Sequence, residues 1–497
     1  MDSLDLQSVD SLSDLITMSV KSTVVMPEIA LLIAVSGILM ISLFSGRKSE
    51  LITYGLSLLA LIGIIFLIQR GFNRPDASLF NEMYVFDGLA KFLKLLVCIT
   101  VAVIFIYARP YLIHHKQSQP EFYILGLFAT LGMMVMISAQ NFITIYLGLE
   151  LLSLCLYALV AFFRDSNNAS EAAIKYFVLG AIASGMLLYG MSIMYGITGS
   201  LNLSEISLYL ANVNELNIGL IFALTFIVVG VAFKFGAVPF HMWVPDVYQG
   251  APTAVTLFIA TAPKFAAFVM AIRLLNHGMH ELHVDWQQML VILSVLSLVF
   301  GNVIAIAQSN IKRMLAYSTI SHIGFVLLGF LSGENFGYAA ALFYTVIYVL
   351  MAAGAFGVLL LLNKNNADDD ESDVNLLADL KGLGKSHPRL AFIMLLVMFS
   401  MAGMPLTVGF YAKLYVLQSL VYNDLIWLAI LALIMSIVGA FYYLRVIKFM
   451  YFDELEERLS GQNALIANTV LTLNGLLIVG LFIFPNYLLD QCVKIFM

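Results

Sequence analysis

The sequence predicts an all-α polytopic membrane protein with about fourteen transmembrane helices. Three observations carry this. Only 11% of the 497 residues are charged and 61% are hydrophobic, with a mean hydropathy of +0.94, whereas a soluble domain carries roughly 25% charged residues. Apolar runs recur along the whole chain, most of them long enough to cross ~30 Å of hydrocarbon at ~1.5 Å per residue. The basic residues between the runs sort onto alternate sides.

The runs fall at about 24–44, 51–68, 86–108, 122–139, 142–163, 171–196, 218–247, 252–275, 286–307, 311–331, 337–362, 388–421, 425–450 and 464–486. The first 23 residues are acidic, with Asp2, Asp5, Asp10 and Asp14. A signal peptide begins basic, so they read as a surface segment, partly helical. With the N-terminus outside, the inner loops hold 15 Lys and Arg and the outer segments 5. The positive-inside rule therefore puts both termini outside. The loop 197–217, with Glu205, Glu215 and no basic residue, fits the outer side.

Two spans are punctured by proline. Pro239 lies in the seventh and removes the bond to the carbonyl of Phe235; Pro405 lies in the twelfth, between Gly403 and Gly409. Broken membrane helices are tolerated where freed backbone lines a cavity or is buried in protein, and they mark binding sites in transporters built from inverted repeats. The alternative is two kinks that only shape packing. Spans 4–8 and 9–13 each form five helices with the fourth one broken. Two odd-numbered units in series must be inverted. The expected division is 1–121 (N-terminal segment and three helices), 122–275 and 286–450 (the repeats), and 451–497 (a C-terminal helix).

Several classes of chemistry are excluded. Cys98, Cys155 and Cys492 are widely spaced and make no metal or redox pair. His277, His280 and His283 lie in a short outer loop without a cysteine partner, a poor metal set. Gly384-Lys385-Ser386 has Asp379 where a phosphate-binding loop needs glycine, and no strand precedes it. The run Asp368-Asp369-Asp370-Glu371 reads as a solvated surface. No dinucleotide fingerprint or cysteine cluster is present, so this chain is expected to bind no cofactor.

What remains is a line of buried charge. Glu150, Lys234, Lys264 and Lys413 lie inside otherwise apolar spans, where a charge costs at least ~3 kcal/mol. Lys234 is five residues before Pro239, and Glu150 is its natural carboxylate. Such a pair can toggle a proton; the alternative is a static ion pair. Lys264 follows Pro263 and has no acidic partner in sequence, which argues for a hydrated path, or for an ammonium capping carbonyls freed by Pro263. Lys413 lies eight residues past Pro405, on the outer half of its span. His241, two residues past Pro239, and His322, beside Ser318, Thr319 and Ser321, are candidate relays or packing residues.

The stretch GVAFKFGAVPFHMWVPDVYQGAP at 230–252 resembles the signature of the antiporter-like membrane subunits of respiratory complex I, a family that includes subunits of sodium/proton antiporters. LGLELLSL at 147–154, ATAPKF at 260–265, SNIKRMLAYSTISHIG at 309–324 and AGMPLTVGFYAKLYV at 402–416 follow in the family's order, so the resemblance covers nearly the whole chain. It implies that Glu150, Lys234, Lys264 and Lys413 form a proton path, that His322 links half-channels, and that the inverted repeats are real. It implies a translocase subunit in a bacterial inner membrane, with both termini periplasmic. NADH oxidation, FMN, iron–sulfur clusters and quinone reduction would reside in partner subunits, among them neighbouring antiporter-like ones. The chain stops after span fourteen, without a long lateral helix, and has lysine at 413 where another branch has glutamate. Pro263 has no assigned place in the family pattern. The rival readings are a gradient-driven cation/proton antiporter subunit and a purely structural membrane-arm subunit.

Overall fold

The computed structural model describes residues 24–46, 49–115, 119–213, 217–364, 373–454, 459–462 and 464–497. The acidic N-terminal segment and the run 368–371 lie outside the described residues. Among those described, twelve helices are long and apolar enough to cross a membrane. Two shorter apolar helices, Glu121–Ile137 and Pro388–Ala402, complete the expected fourteen crossings.

Helices α1 (Met26–Phe44), α2 (Ser49–Gly71) and α3 (Gly88–His114) form an N-terminal group. A hairpin of β1 (Ala77–Leu79) and β2 (Tyr84–Phe86), with Ala77 opposite Phe86, joins α2 to α3. Asp87 starts α3 by accepting from the Ala90 amide at 2.8 Å. Next come α4 (Glu121–Ile137), α5 (Phe142–Val160), α6 (Asn167–Thr198), a short α7 (Leu203–Ala211), α8 (Ile218–Phe235) and α9 (Trp243–Gly250). The eighth crossing comprises α10 (Thr253–Ala260), α11 (Ala262–Ala271) and a π-helical turn, Ile272–Gly278. The second half holds α12 (His283–Ala307), α13 (Ile311–Phe330), α14 (Asn335–Leu360), β3 (Leu362–Lys364), α15 (Leu383–Ser386), α16 (Pro388–Ala402), α17 (Val408–Tyr422) and α18 (Ile426–Tyr451). Strand β4 (Leu459–Gly461) pairs with β3, and α19 (Leu465–Ile483) and α20 (Pro485–Phe496) close the chain.

Three details differ from expectation. The breaks begin before the prolines. Helix α8 stops at Gly236 (φ +81) and α16 at Gly403 (φ +82). Only glycine enters this left-handed region without strain, so it ends the helix; Pro239 and Pro405 then lie in the connections. The eighth crossing is not one helix: it breaks at Thr261 (φ −118°, ψ −93°), with Pro263 at the start of α11. Proline is favoured there because its missing N–H is an orphan anyway. Finally, the amphipathic α20 packs back on α14 and α3.

The two five-helix sets share packing details. Gly132 on α4 and Gly148 on α5 face each other so closely that a Cβ on either would meet partner backbone at 2.7 Å. Gly301 on α12 and Gly324 on α13 play the same part, a Cβ on Gly301 meeting the Ser321 amide at 2.7 Å. Small residues let membrane helices approach where lipid supplies no hydrophobic drive. Helices α10, α11, α13 and α14 are almost wholly buried, while α1, α2, α18 and α19 turn apolar side chains outward.

The expected inner loops share one end of the bundle. There Arg109 pairs with Glu50, Lys175 and Arg313 with Asp246, and Lys364 with Asp379. The other end holds the hairpin, the Lys91–Asp76 pair at 2.8 Å and the Arg273–Asp87 pair at 2.7 Å.

Candidate functional site

Helix breaks leave backbone carbonyls without partners, and two of the lysines take them. The Phe235 carbonyl ends α8. It accepts from Nζ of Lys264 at 3.0 Å. Lys264 is buried on α11, with its ammonium 5.8 Å from the centre of the Trp243 ring. A helix C-terminus carries about half a negative charge, so this cation has an electrostatic partner without a carboxylate. The carbonyl that Lys264 caps belongs to the seventh crossing, not to a turn freed by Pro263.

The second break repeats the arrangement. Ala402 ends α16, and its carbonyl accepts from Nζ of Lys413 at 2.8 Å. Lys413 also donates to Oγ of Ser436 on α18 at 2.7 Å, and its ammonium lies 5.3 Å from the Phe325 ring centre. A Cβ on Gly403 would sit 2.7 Å from Cδ of Lys413. Glycine therefore both ends the helix and leaves room for the lysine.

Glu150 and Lys234 do not touch. Lys234 Nζ donates to Oγ of Ser153 at 3.0 Å, and Glu150 accepts from Oγ of Ser184 on α6 at 2.5 Å. No ion pair within 4.0 Å joins the two charges among the described residues. The reason is helical phase. Ser153 is three residues past Glu150, one turn along α5, and it faces α8 while Glu150 turns toward α6. A void of about 20 Å³ lies among Ser153, Ser184, Tyr157 and Lys234, room for about one water. The expected pair is thus a carboxylate and an ammonium separated by hydroxyls.

His322 lies in a buried polar row. Its Nδ1 is 2.7 Å from the Tyr344 hydroxyl and its Nε2 3.1 Å from that of Tyr443. Tyr443 is 2.5 Å from Oγ of Ser318, and Tyr348 donates to Thr319 at 2.9 Å. Hydroxyls both give and accept, so either imidazole tautomer is satisfied and a proton can enter on one nitrogen and leave from the other. His241 is placed differently. It lies in the connection between α8 and α9, its ring 6.5 Å from Tyr317, with no hydrogen bond to His322 among the described residues. Ser153 could have been found from its spacing to Glu150. Tyr344, Tyr443 and Ser436 come from other helices and leave no local signal.

No group of three or more His, Cys, Asp or Glu positioned to hold a metal ion occurs among the described residues. Hydroxyls bond Glu150, Lys234, His322 and Lys413, whereas Lys264 bonds a backbone carbonyl.

The family described as "NADH:quinone oxidoreductase/Mrp antiporter, TM" matches residues 139–439. NADH-quinone oxidoreductase subunit N of Thioalkalivibrio sulfidiphilus is 58% identical over 467 residues, 94% of this chain and 96% of that one. The subunit N of Thiobacillus denitrificans is 52% identical over 469 residues, with 94% and 96% covered. Among solved structures, a chain of respiratory complex I from Thermus thermophilus with bound aureothin is similar at a TM-score of 0.80 and 30% identity, covering 93% of this chain and 98% of that one. A chain of the Mrp complex from Dietzia sp. shares the fold at a TM-score of 0.78 and 16% identity, with 95% and 97% covered.

Proposed function

The chain belongs to the NADH:quinone oxidoreductase/Mrp antiporter membrane family, and we propose from that membership how its buried charges act. It is a proton-translocating membrane subunit of NADH:quinone oxidoreductase, and its partners are the other subunits of that complex. Relatives at 58% and 52% identity over 94% of the chain bear that subunit's name, and this favours a redox-driven role over a gradient-driven antiporter. FMN and iron–sulfur clusters belong to the partners. The membrane is a bacterial inner membrane. Both termini face the periplasm, a reading supported by the gathering of Lys175, Lys312, Arg313 and Lys364 at one end of the bundle.

The observation that carries the mechanism is the repeated capping of a broken helix by a lysine: Lys264 on Phe235 and Lys413 on Ala402. Protons pass along Glu150, Lys234, Lys264, His322 and Lys413, with Ser153, Tyr344 and Tyr443 as bridging hydroxyls; His241 stands at the inner side of the first break. Inverted repeats at 122–275 and 286–450 explain why both breaks fall in the fourth helix and why both units open with a glycine-packed pair. Residues 1–121 and 451–497 flank them.

NADH-driven proton uptake by inverted membrane vesicles tests this reading. Glu150→Ala removes the carboxylate facing Ser184, and pumping is expected to fall at least about tenfold with the complex still assembled. Glu150→Asp should keep more activity. Full pumping in Glu150→Ala would overturn this reading.

A further inference from the structure

At the basic-rich end a cavity of about 630 Å³ opens between α3, α6, α9 and α13. Its wall carries His115, Lys175, Lys312 and Arg313, and equally Asp165, Glu171, Asp246 and Asp373. Four bases against four acids give an anion no net attraction, but they keep a polar vestibule hydrated.

Within it, His115 is held in an informative way. Its Nδ1 lies 3.0 Å from the Tyr111 carbonyl, and its Nε2 lies 3.0 Å from Oδ1 of Asp373. A carbonyl only accepts, and so does an ionised carboxylate. A neutral imidazole has one N–H and satisfies one of them. With the imidazole protonated both contacts are hydrogen bonds; with it neutral only one of them is. The other carboxylate oxygen accepts from Thr253 at 2.8 Å and Tyr111 at 3.1 Å, with Lys312 at 3.9 Å. His114 lies edge-on to His115 with ring centres 5.3 Å apart.

The same residues point inward. Thr253 opens α10, and Lys264 follows eleven residues later in α11, past the break at Thr261. Tyr248, just before α10, is buried, Tyr348 donates to Thr319 at 2.9 Å, and the Tyr348 ring centre is 5.4 Å from that of His322.

We propose that His115, held by Asp373, is a proton-loading residue: it takes protons from vestibule water and hands them toward the buried lysines. The step moves a proton alone. Hydronium protonates the imidazole and leaves water, and the imidazolium later gives its proton inward. Burial pushes the Asp373 carboxyl up, but the His115 hydrogen bond and the Lys312 charge outweigh it and hold it at about 2, so Asp373 remains the anion that keeps the proton on His115.

This proposal rests on the proton-carrying reading above, and the test separates the two. In inverted vesicles of the intact complex, external pH sets the vestibule side. His115→Gln keeps a donor for Asp373 and cannot titrate. Its NADH-driven pumping is expected to fall progressively behind wild type as external pH rises from about 6 to about 8, ending about tenfold lower. Asp373→Glu keeps an anion there and should retain the wild-type pH profile. A wild-type profile in His115→Gln, or an equal deficit at every pH, would overturn the proposal. Glu150→Ala is measured alongside. Normal pumping there defeats the functional reading itself, whereas its loss beside a normal His115→Gln defeats only the loading role.

Discussion

Lys413 donates to Ala402 and to Ser436, so substitution there can separate a fixed charge from a movable proton. Lys413→Arg keeps the cation and its reach to the carbonyl. A guanidinium does not give up its proton under these conditions. If Lys413 passes protons, NADH-driven pumping in Lys413→Arg should fall at least about tenfold, with subunit content unchanged on native gels. Near-normal pumping would leave Lys413 as an electrostatic element only. Asp373 yields a second prediction at this scale. Its folded carboxyl lies at about 2, below the ordinary 3.8. A depressed carboxyl contributes stability that is present above the ordinary value and is lost as pH falls through the folded one. Wild type should therefore lose melting temperature between about pH 4 and about pH 2 more steeply than Asp373→Asn. Parallel acid curves would deny Asp373 that role.

At the scale of elements, the breaks in the seventh and twelfth crossings are each a glycine in left-handed conformation followed by a proline, and each last carbonyl is taken by a lysine. Gly403→Ala tests the second. The new methyl meets Cδ of Lys413 at 2.7 Å, and the backbone cost at φ +82 is of order 1 kcal/mol. Pumping is expected to drop severalfold while α16 still inserts, and Gly37→Ala, where a Cβ meets nothing within 4 Å, should pump normally. Equal activity in both would show that Lys413 needs no fixed carbonyl. Much of this level was legible in the sequence. Fourteen crossings and two broken ones followed from apolar run length and from Pro239 and Pro405. Ser184, the hydroxyl bonded to Glu150, did not, because it comes from α6 and which face of α5 meets α6 is set by packing between helices. The same holds for Lys264: its partner carbonyl at Phe235 lies 29 residues away in sequence, and nothing local names it. Lys94 shows the limit from the other side. It is buried and paired with Glu28 and Tyr84, yet the sequence assigns it to neither side of the membrane.

For the whole molecule, sidedness is the property that turns a row of charges into a pump. Cys98, Cys155 and Cys492 are buried, so single surface cysteines report cleanly. Lys385→Cys, in the large expected inner loop, should react with an impermeant maleimide only in inverted vesicles, and Asn73→Cys, beside the hairpin, only in right-side-out ones. The reverse pattern would invert the topology and the direction assigned to the vestibule. The capped breaks then bear on how distant redox chemistry can reach this subunit. On the proposed reading the proton on Lys264 is also a bond of the scaffold, because its ammonium fastens α11 to the end of α8. Proton occupancy and the relative placement of those two helices are thus thermodynamically linked, and linkage is reciprocal. Only the part of the work of drawing the Phe235 carbonyl away that depends on the Lys264 charge returns, equal in size, as a change in how tightly Lys264 holds its proton. On that reading, displacing one half-helix couples the two subunits without a wire of side chains between them.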